Sequence, residues 1–268
     1  MSRRRPVVAG NWKMHLDHVE AVHLLTELGM RLRAFDASGI DVVVLPPFTD
    51  LRSASSVIEA ERLEVGLGAQ HVSEHDAGAF TGEVAASMLA KLGATIVLAG
   101  HSERRQLFGM DDAAVGRTAA AARRGGLVPM VCVGETEDER AAGQTDEVLA
   151  RQLDAGIAEL GDVDAAQLLV AYEPVWAIGT GLAATTEDAQ AACAHLRSVA
   201  RARLGDHADG LRVLYGGSAS PENAGELVEG RDVDGLLVGG ASLSAATFAA
   251  VCEAVADCYR SSGRSPRR

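Results

Sequence analysis

The sequence predicts a single-domain α/β protein built as a closed (β/α)8 barrel. Eight short apolar runs recur along its 268 residues, each of a length suited to one buried strand, and each is separated from the next by a segment that scans as helix. No composition break or linker divides the chain, so the strand-helix units belong to one body. A helix between consecutive strands carries the chain back to the same end of the sheet, which makes the strands parallel, and eight such units close most economically into a barrel. An open doubly wound sheet remains the alternative, because periodicity does not distinguish a closed sheet from one with edges.

In order, the strand candidates are Val7 to Ala9, Val42 to Leu45, Val65 to Ala69, Ile96 to Ala99, Val128 to Val133, Leu168 to Tyr172, Val213 to Tyr215 and Leu236 to Val238. Between the first two, Val22, Leu25, Leu28, Leu32 and Phe35 recur at helical spacing and predict one apolar helix face. Ser220-Pro221-Glu222-Asn223 reads as an N-cap followed by proline at the first helical position, and Thr185-Thr186-Glu187-Asp188 as a similar start. The expected boundaries are a flexible N-terminus over residues 1–5, the barrel over 6–259 and a disordered tail over 260–268.

Composition narrows the partners. Hydrophobic residues make up 47%, enough for a substantial core, while the 29 glycines are spread along the chain as tight turns require. A formal charge of -12 argues against nucleic acid or an acidic membrane surface, so any anion must be held locally. The basic start, Met1 to Arg5, lacks a signal-peptide core, and no transmembrane run follows. Cys132, Cys193, Cys252 and Cys258 form no C-x-x-C pair, and a cytoplasmic location with reduced thiols is the expectation.

In such a barrel every strand ends at one mouth, so the residues just after each strand converge. The first strand delivers Asn11 and Lys13, the fourth Gly100-His101-Ser102-Glu103, and the sixth Glu173. The seventh and eighth deliver Gly216-Gly217-Ser218 and Gly239-Gly240, turns whose backbone N–H groups can approach a phosphate closely. After Glu173 comes an apolar segment, Val175, Trp176 and Ile178, between Pro174 and Gly179, Gly181, the pattern of a stiff lid with pliable ends. A capped strand end with a surface loop is the bland reading of that stretch.

Two motif matches fail on context. Gly179 to Ala184 fits the dinucleotide pattern G-x-G-x-x-A but lies several residues past its strand. His71-Val72-Ser73-Glu74-His75 fits the zinc-peptidase pattern H-x-x-E-H, which needs a helix, yet glycines flank it on both sides. His15 and His18 read as solvated residues near a helix start. No metal or cofactor is called for.

Gly10 to Met14, Gly100 to Arg105, Ala171 to Gly181, Tyr215 to Ser218 and Leu237 to Gly240 together resemble the triosephosphate isomerase family in order and spacing, over residues from about Pro6 to Tyr259. The resemblance implies a TIM barrel that interconverts dihydroxyacetone phosphate and glyceraldehyde 3-phosphate in glycolysis and gluconeogenesis. It implies Glu173 as the base, His101 as the electrophile and proton shuttle, Lys13 as the positive charge and Asn11 as its orienter. It also implies a phosphate grip by backbone N–H groups of Gly179, Ser218, Gly239 and Gly240, and closure of Ile178 over Glu173 with Leu237 opposite. Glu103 is, by the same resemblance, a buried partner of Lys13 and His101; a salt bridge to Arg104 or Arg105 is the alternative.

The stretch from Gln70 to Glu83 is long for a connection in this fold, and the resemblance implies that it inserts into a second copy, with Thr81 near the other active site, giving a homodimer. Departures from the family pattern are His15, Leu182 and the Ala219-Ser220 pair, which bear on the lid and the dimer rather than on the chemistry. Other readings are an isomerase of a four-carbon ketose phosphate on the same scaffold and a catalytically silent phosphate-binding barrel.

Overall fold

The eight apolar runs are the eight strands. The structure, a computed structural model, describes residues 4–161, 164–178 and 184–262. In it β1 (Val7–Asn11), β2 (Asp41–Leu45), β3 (Val65–Ala69), β4 (Ala94–Ala99), β5 (Val128–Val133), β6 (Leu169–Tyr172), β7 (Arg212–Tyr215) and β8 (Gly235–Val238) pair in parallel, each with the next. Val8 is in register with Val42 on one side and Leu236 on the other, which closes the sheet into a barrel.

The outer layer is helical: α1 (His18–Leu32), α2 (Leu51–Ala60), α3 (Ala86–Lys91), α4 (Ser102–Phe108), α5 (Asp112–Arg124), α6 (Glu137–Ala141), α7 (Thr145–Ile157), α8 (Thr186–Leu204), α9 (Ala224–Leu227) and α10 (Ala245–Ser261). No helix among the described residues is long and apolar enough to cross a membrane.

Both faces of the sheet are buried, which is why each strand reads as a continuous apolar run. Alternate residues such as Ala9, Leu45, Leu98, Met130, Ala171 and Leu237 fill the interior. Their neighbours Val8, Val44, Val97, Val131, Val170 and Leu236 face outward against the helices. Each fully buried Val or Leu contributes about 1.5–3 kcal/mol, so the two layers hold the mouth as a fixed frame.

Charged groups tie the barrel's N-terminal end. The guanidinium of Arg197 donates to Asp232 Oδ1 at 2.7 Å and Asp234 Oδ2 at 2.5 Å, while Arg4 Nε reaches Asp234 Oδ1 at 2.7 Å. Asp234 Oδ2 also accepts from the backbone N–H of Val213 at 3.0 Å. The network joins α8, β7 and β8 to the first residues. Arg5 Nε meets Asp41 at 2.6 Å, so residues 4 and 5 are held rather than loose.

The structure moves several predicted boundaries. The last helix runs to Ser261, which takes residues 260 and 261 out of the expected tail; residues 1–3 and 263–268 lie outside the described residues. The buried face of α1 is Ala21, Leu24, Leu25, Leu28, Gly29 and Leu32; Val22 is half-buried, and Phe35 lies beyond the helix. Small residues face inward there because the helix packs tightly: a Cβ on Gly29 would lie 2.4 Å from Leu63. At the other predicted start, α9 begins at Ala224 with Asn223 as its N-cap, after a turn over 221–223. Thr185 does cap α8, in a reciprocal pairing with Asp188.

Candidate active site

The strand C-termini open into a pocket of about 610 Å³ that gathers Asn11, Lys13, His101, Glu103, Glu173, Ile178, Ser218, Leu237, Gly239 and Gly240. Residues up to 229 positions apart in sequence thus share one cavity, because each follows a strand of the same barrel.

Lys13 sits two residues past the end of β1 with a left-handed backbone, φ 54°. For a residue with a Cβ this conformation is uncommon and must be held. Two side-chain amides hold it. Asn11 Oδ1 accepts the Lys13 N–H at 3.0 Å, and Gln70 Nε2 donates to the Lys13 carbonyl at 2.8 Å and to that of Leu45 at 2.9 Å. The ammonium is thereby presented to the mouth, where it meets Glu103 Oε1 at 2.6 Å.

His101 is the N-cap of α4, and its ring Nδ1 accepts from the backbone N–H of Glu103 at 3.3 Å. A ring nitrogen that accepts carries no proton, so the neutral ring bears its hydrogen on Nε2. Nε2 lies 2.9 Å from Glu173 Oε1. Burial lowers the pKa of His101, but the Glu173 carboxylate, with Glu103 beside it, raises it further and the net direction is upward. The larger part of that upward pull comes from Glu173 and goes when Glu173 leaves the ring.

Glu173, 2% exposed, has its second oxygen occupied too: Oε2 accepts from the backbone N–H of Ser102 at 2.8 Å. The carboxylate is stored between an imidazole and a helix start, and it must leave both to meet a ligand. Two glycines make room for it. A Cβ at Gly134 would fall 1.7 Å from the Glu173 carbonyl oxygen, and one at Gly216 would fall 3.0 Å from Glu173 Cγ. Gln152 fixes Gly134 from both sides, its Oε1 accepting the N–H at 2.8 Å and its Nε2 donating to the carbonyl at 3.1 Å.

Glu103 is not buried as expected. Its side chain is 40% exposed, pairing with Lys13 and lying 3.6 Å from His101 Nδ1. Arg104 faces His71 instead, and Arg105 pairs with Asp112 at 2.6 Å.

The segment after Glu173 starts as one turn of 3-10 helix, Val175–Ala177. Trp176 Nε1 donates to Glu135 Oε1 at 2.9 Å, beside the Tyr172 hydroxyl at 3.1 Å on the same oxygen. The Arg140 guanidinium lies 4.1 Å from the Trp176 ring centroid and bonds Asp188 at 3.1 Å, so one side chain on α6 grips both flanks of the segment. Ile178 lines the pocket with Leu237. Gly179, Gly181 and Leu182 lie outside the described residues.

Gly239 and Gly240 open the 3-10 turn Gly240–Leu243, and the first N–H groups of such a turn have no acceptor within it. Ser218 lies in the turn after β7, exposed to the same cavity. The zinc-peptidase match is a loop: His71 Nε2 faces Arg104 at 3.3 Å and His75 stacks on Phe80 at 3.8 Å. His15 and His18 are exposed.

The predicted site residues that the structure describes therefore meet. The sequence places Ser102 at the mouth but without a role, and it does not point to Gln70, Gly134 or Glu135 at the site. Only Gly134 and Glu135 left a trace, as a glycine and a carboxylate directly after β5.

A protein-family model described as triosephosphate isomerase matches residues 6–255. The chain belongs to the triosephosphate isomerase family. A triosephosphate isomerase of Mycobacteroides abscessus is 48% identical over 92% of this chain and 95% of its own length. One from Rhodococcus jostii is 49% identical over the same shares. The crystal structure of a triosephosphate isomerase from Bartonella henselae superposes with a TM-score of 0.84 at 37% identity, covering 96% of this chain and 99% of that one. Membership in the triosephosphate isomerase family agrees with the eight-strand closure described above.

Proposed function

We propose that this chain interconverts dihydroxyacetone phosphate and D-glyceraldehyde 3-phosphate through an enediolate, as the aldose-ketose isomerase of glycolysis and gluconeogenesis in the cytoplasm. The observation that carries the reading is the contact of Glu173 with His101 at 2.9 Å inside a pocket that also holds Lys13. A carboxylate base, an N–H electrophile and a fixed cation are what proton transfer between adjacent carbons needs.

In the mechanism Glu173 leaves Ser102 and His101, takes the proton from the carbon beside the carbonyl and returns it to the neighbouring carbon. Such general-base action contributes roughly 10²- to 10⁴-fold. The Nε2–H of His101 polarises the carbonyl and moves a proton between the two oxygens. Lys13 meets the negative charge of the enediolate, its backbone already strained into place, so little reorganisation is left for the reaction itself. Backbone N–H groups of Ser218, Gly239, Gly240 and Gly179 grip the phosphate. Ile178 and Leu237 keep water from the carboxylate.

The same reading includes a homodimer through the loop of residues 70–83. Its tip, residues 75–83, is exposed and includes Thr81. It is stiffened from its own subunit by Arg117 on Glu74, by Arg124 on Asp76 at 3.1 Å and by the His75–Phe80 stack. Beside Lys13 lies a cavity of about 210 Å³ lined by Met14, Phe48 and Phe108, all exposed. An exposed apolar patch of this kind suits a protein partner.

A coupled spectrophotometric assay with glyceraldehyde 3-phosphate tests the activity; an inert purified protein would refute it. A higher kcat/KM for a four-carbon ketose phosphate would shift the substrate class. Sedimentation at micromolar concentration tests the dimer, and an active monomer would remove it.

A further inference from the structure

Asn223 is the N-cap of α9, where an asparagine ordinarily accepts an N–H from the helix's own first turn. Here the side chain makes no such bond. It turns back instead: Oδ1 accepts the backbone N–H of Ser220 at 2.8 Å, and Nδ2 donates to the carbonyl of Ser218 at 3.3 Å. One carboxamide thus spans the peptide groups on either side of Ala219.

The turn is anchored at its two ends, by the Gly216 N–H on the Tyr172 carbonyl at 2.7 Å and by the N–H groups of Asn223 and Ala224 on the Ser220 carbonyl at 3.3 and 3.0 Å, and the Asn223 carboxamide is what reaches back to Ser218 between them. Gly216 and Gly217 precede Ser218, and glycines leave the backbone many conformations. Ser218 is itself exposed to the pocket, and the half-buried Ser220 and Asn223 line its wall. A backbone N–H binds an anion only when aimed at it, so an unheld turn would have to be ordered at the expense of binding.

We propose that Asn223 is a positioning residue of the phosphate subsite: its carboxamide locks the 218–220 turn so that the Ser218 N–H stays directed into the mouth. This rests on the reading above in which Ser218 meets the phosphate. The residue acts on affinity for the phosphorylated ligand and not on the proton transfer at Glu173.

The test uses the full-length N223S variant. Serine caps helices about as well as asparagine, so the start of α9 is kept, but its hydroxyl is too short to span both peptide groups. With one or two hydrogen bonds lost, KM for glyceraldehyde 3-phosphate and the competitive inhibition constant of inorganic phosphate should rise together, about 5- to 10-fold, with kcat falling less. A merely structural Asn223 would leave both constants unchanged in N223S, and that result overturns the proposal. Should N223S fail to fold, N223D keeps the acceptor for the Ser220 N–H, and unchanged phosphate inhibition there overturns it equally. Wild-type protein that turns over no triose phosphate would refute the function itself, and the proposal with it.

Discussion

At the N-terminal end of the barrel, Arg197 is closed in by Asp232, Asp234 and the carbonyls of Ala208, Leu211 and Asp232. At the C-terminal end, among the described residues, Lys13 pairs with the Glu103 carboxylate, and Glu173 rests on an imidazole and the backbone N–H of Ser102. Both ends bury charge. At the first every donor direction is spent on another element of the fold, so the cluster can only hold. At the second the partners are few, one of them sits on a strained backbone, and a pocket adjoins them, so the same side-chain types remain able to change partners.

The largest effect should come from removing a charge at the holding end. Asp234→Ala leaves Arg197 with an uncompensated buried side, and should cost about 3–5 kcal/mol in denaturant unfolding, with kcat per folded molecule unchanged. A variant that unfolds normally but turns over slowly would contradict the division. At the mouth the signs reverse: Lys13→Met should lower kcat roughly 10²- to 10³-fold while the melting temperature changes little, since methionine keeps the same backbone and the Lys13–Glu103 pair that is lost is partly exposed. Loss of stability with normal turnover would make Lys13 structural.

Glu173→Asp, which withdraws the carboxylate by about 1 Å, should cost on the order of 10²-fold in kcat with the fold intact. The smallest effect concerns His101. Burial lowers its pKa, but Glu173, with Glu103, holds it above the ordinary 6.5. A raised folded value contributes stability that is complete below the ordinary pKa and fades as pH rises through the folded one. Glu173→Gln removes the larger part of the opposing pull, so nitrogen-detected NMR should show His101 titrating lower than in wild type, and the alkaline fade should shrink. An unchanged titration would mean that Glu173 is not what raises it.

Much of this was legible in the sequence, for reasons particular residues make plain. Strands such as Val128–Val133 are buried on both faces, so the run itself announces them. Lys13, His101 and Glu173 follow closely on their strands, and parallel connection alone brings such positions to one mouth. The α1 face was harder, because Ala21 and Gly29 pack inward through small size, which apolar periodicity weighs lightly. Ser102 acts through a backbone N–H and Gln70 through a long side chain crossing to another loop; neither leaves a pattern along the chain. Ser220 fits a helix cap locally, but the cap falls to Asn223, three residues on, because the Ser220 carbonyl is taken up in a turn with Asn223 and Ala224.

Glu173 is assigned the transfer of a carbon-bound proton beside His101 and Lys13. Turnover of dihydroxyacetone phosphate in deuterium oxide, followed by proton NMR, tests it directly. The wild-type product should carry protium on the carbon beside the carbonyl where Glu173 returns the proton that it took, and deuterium where the carboxyl exchanges with solvent first, and Glu173→Asp should form product on the order of 10²-fold more slowly. Equal rates for the two proteins would contradict a base role for Glu173.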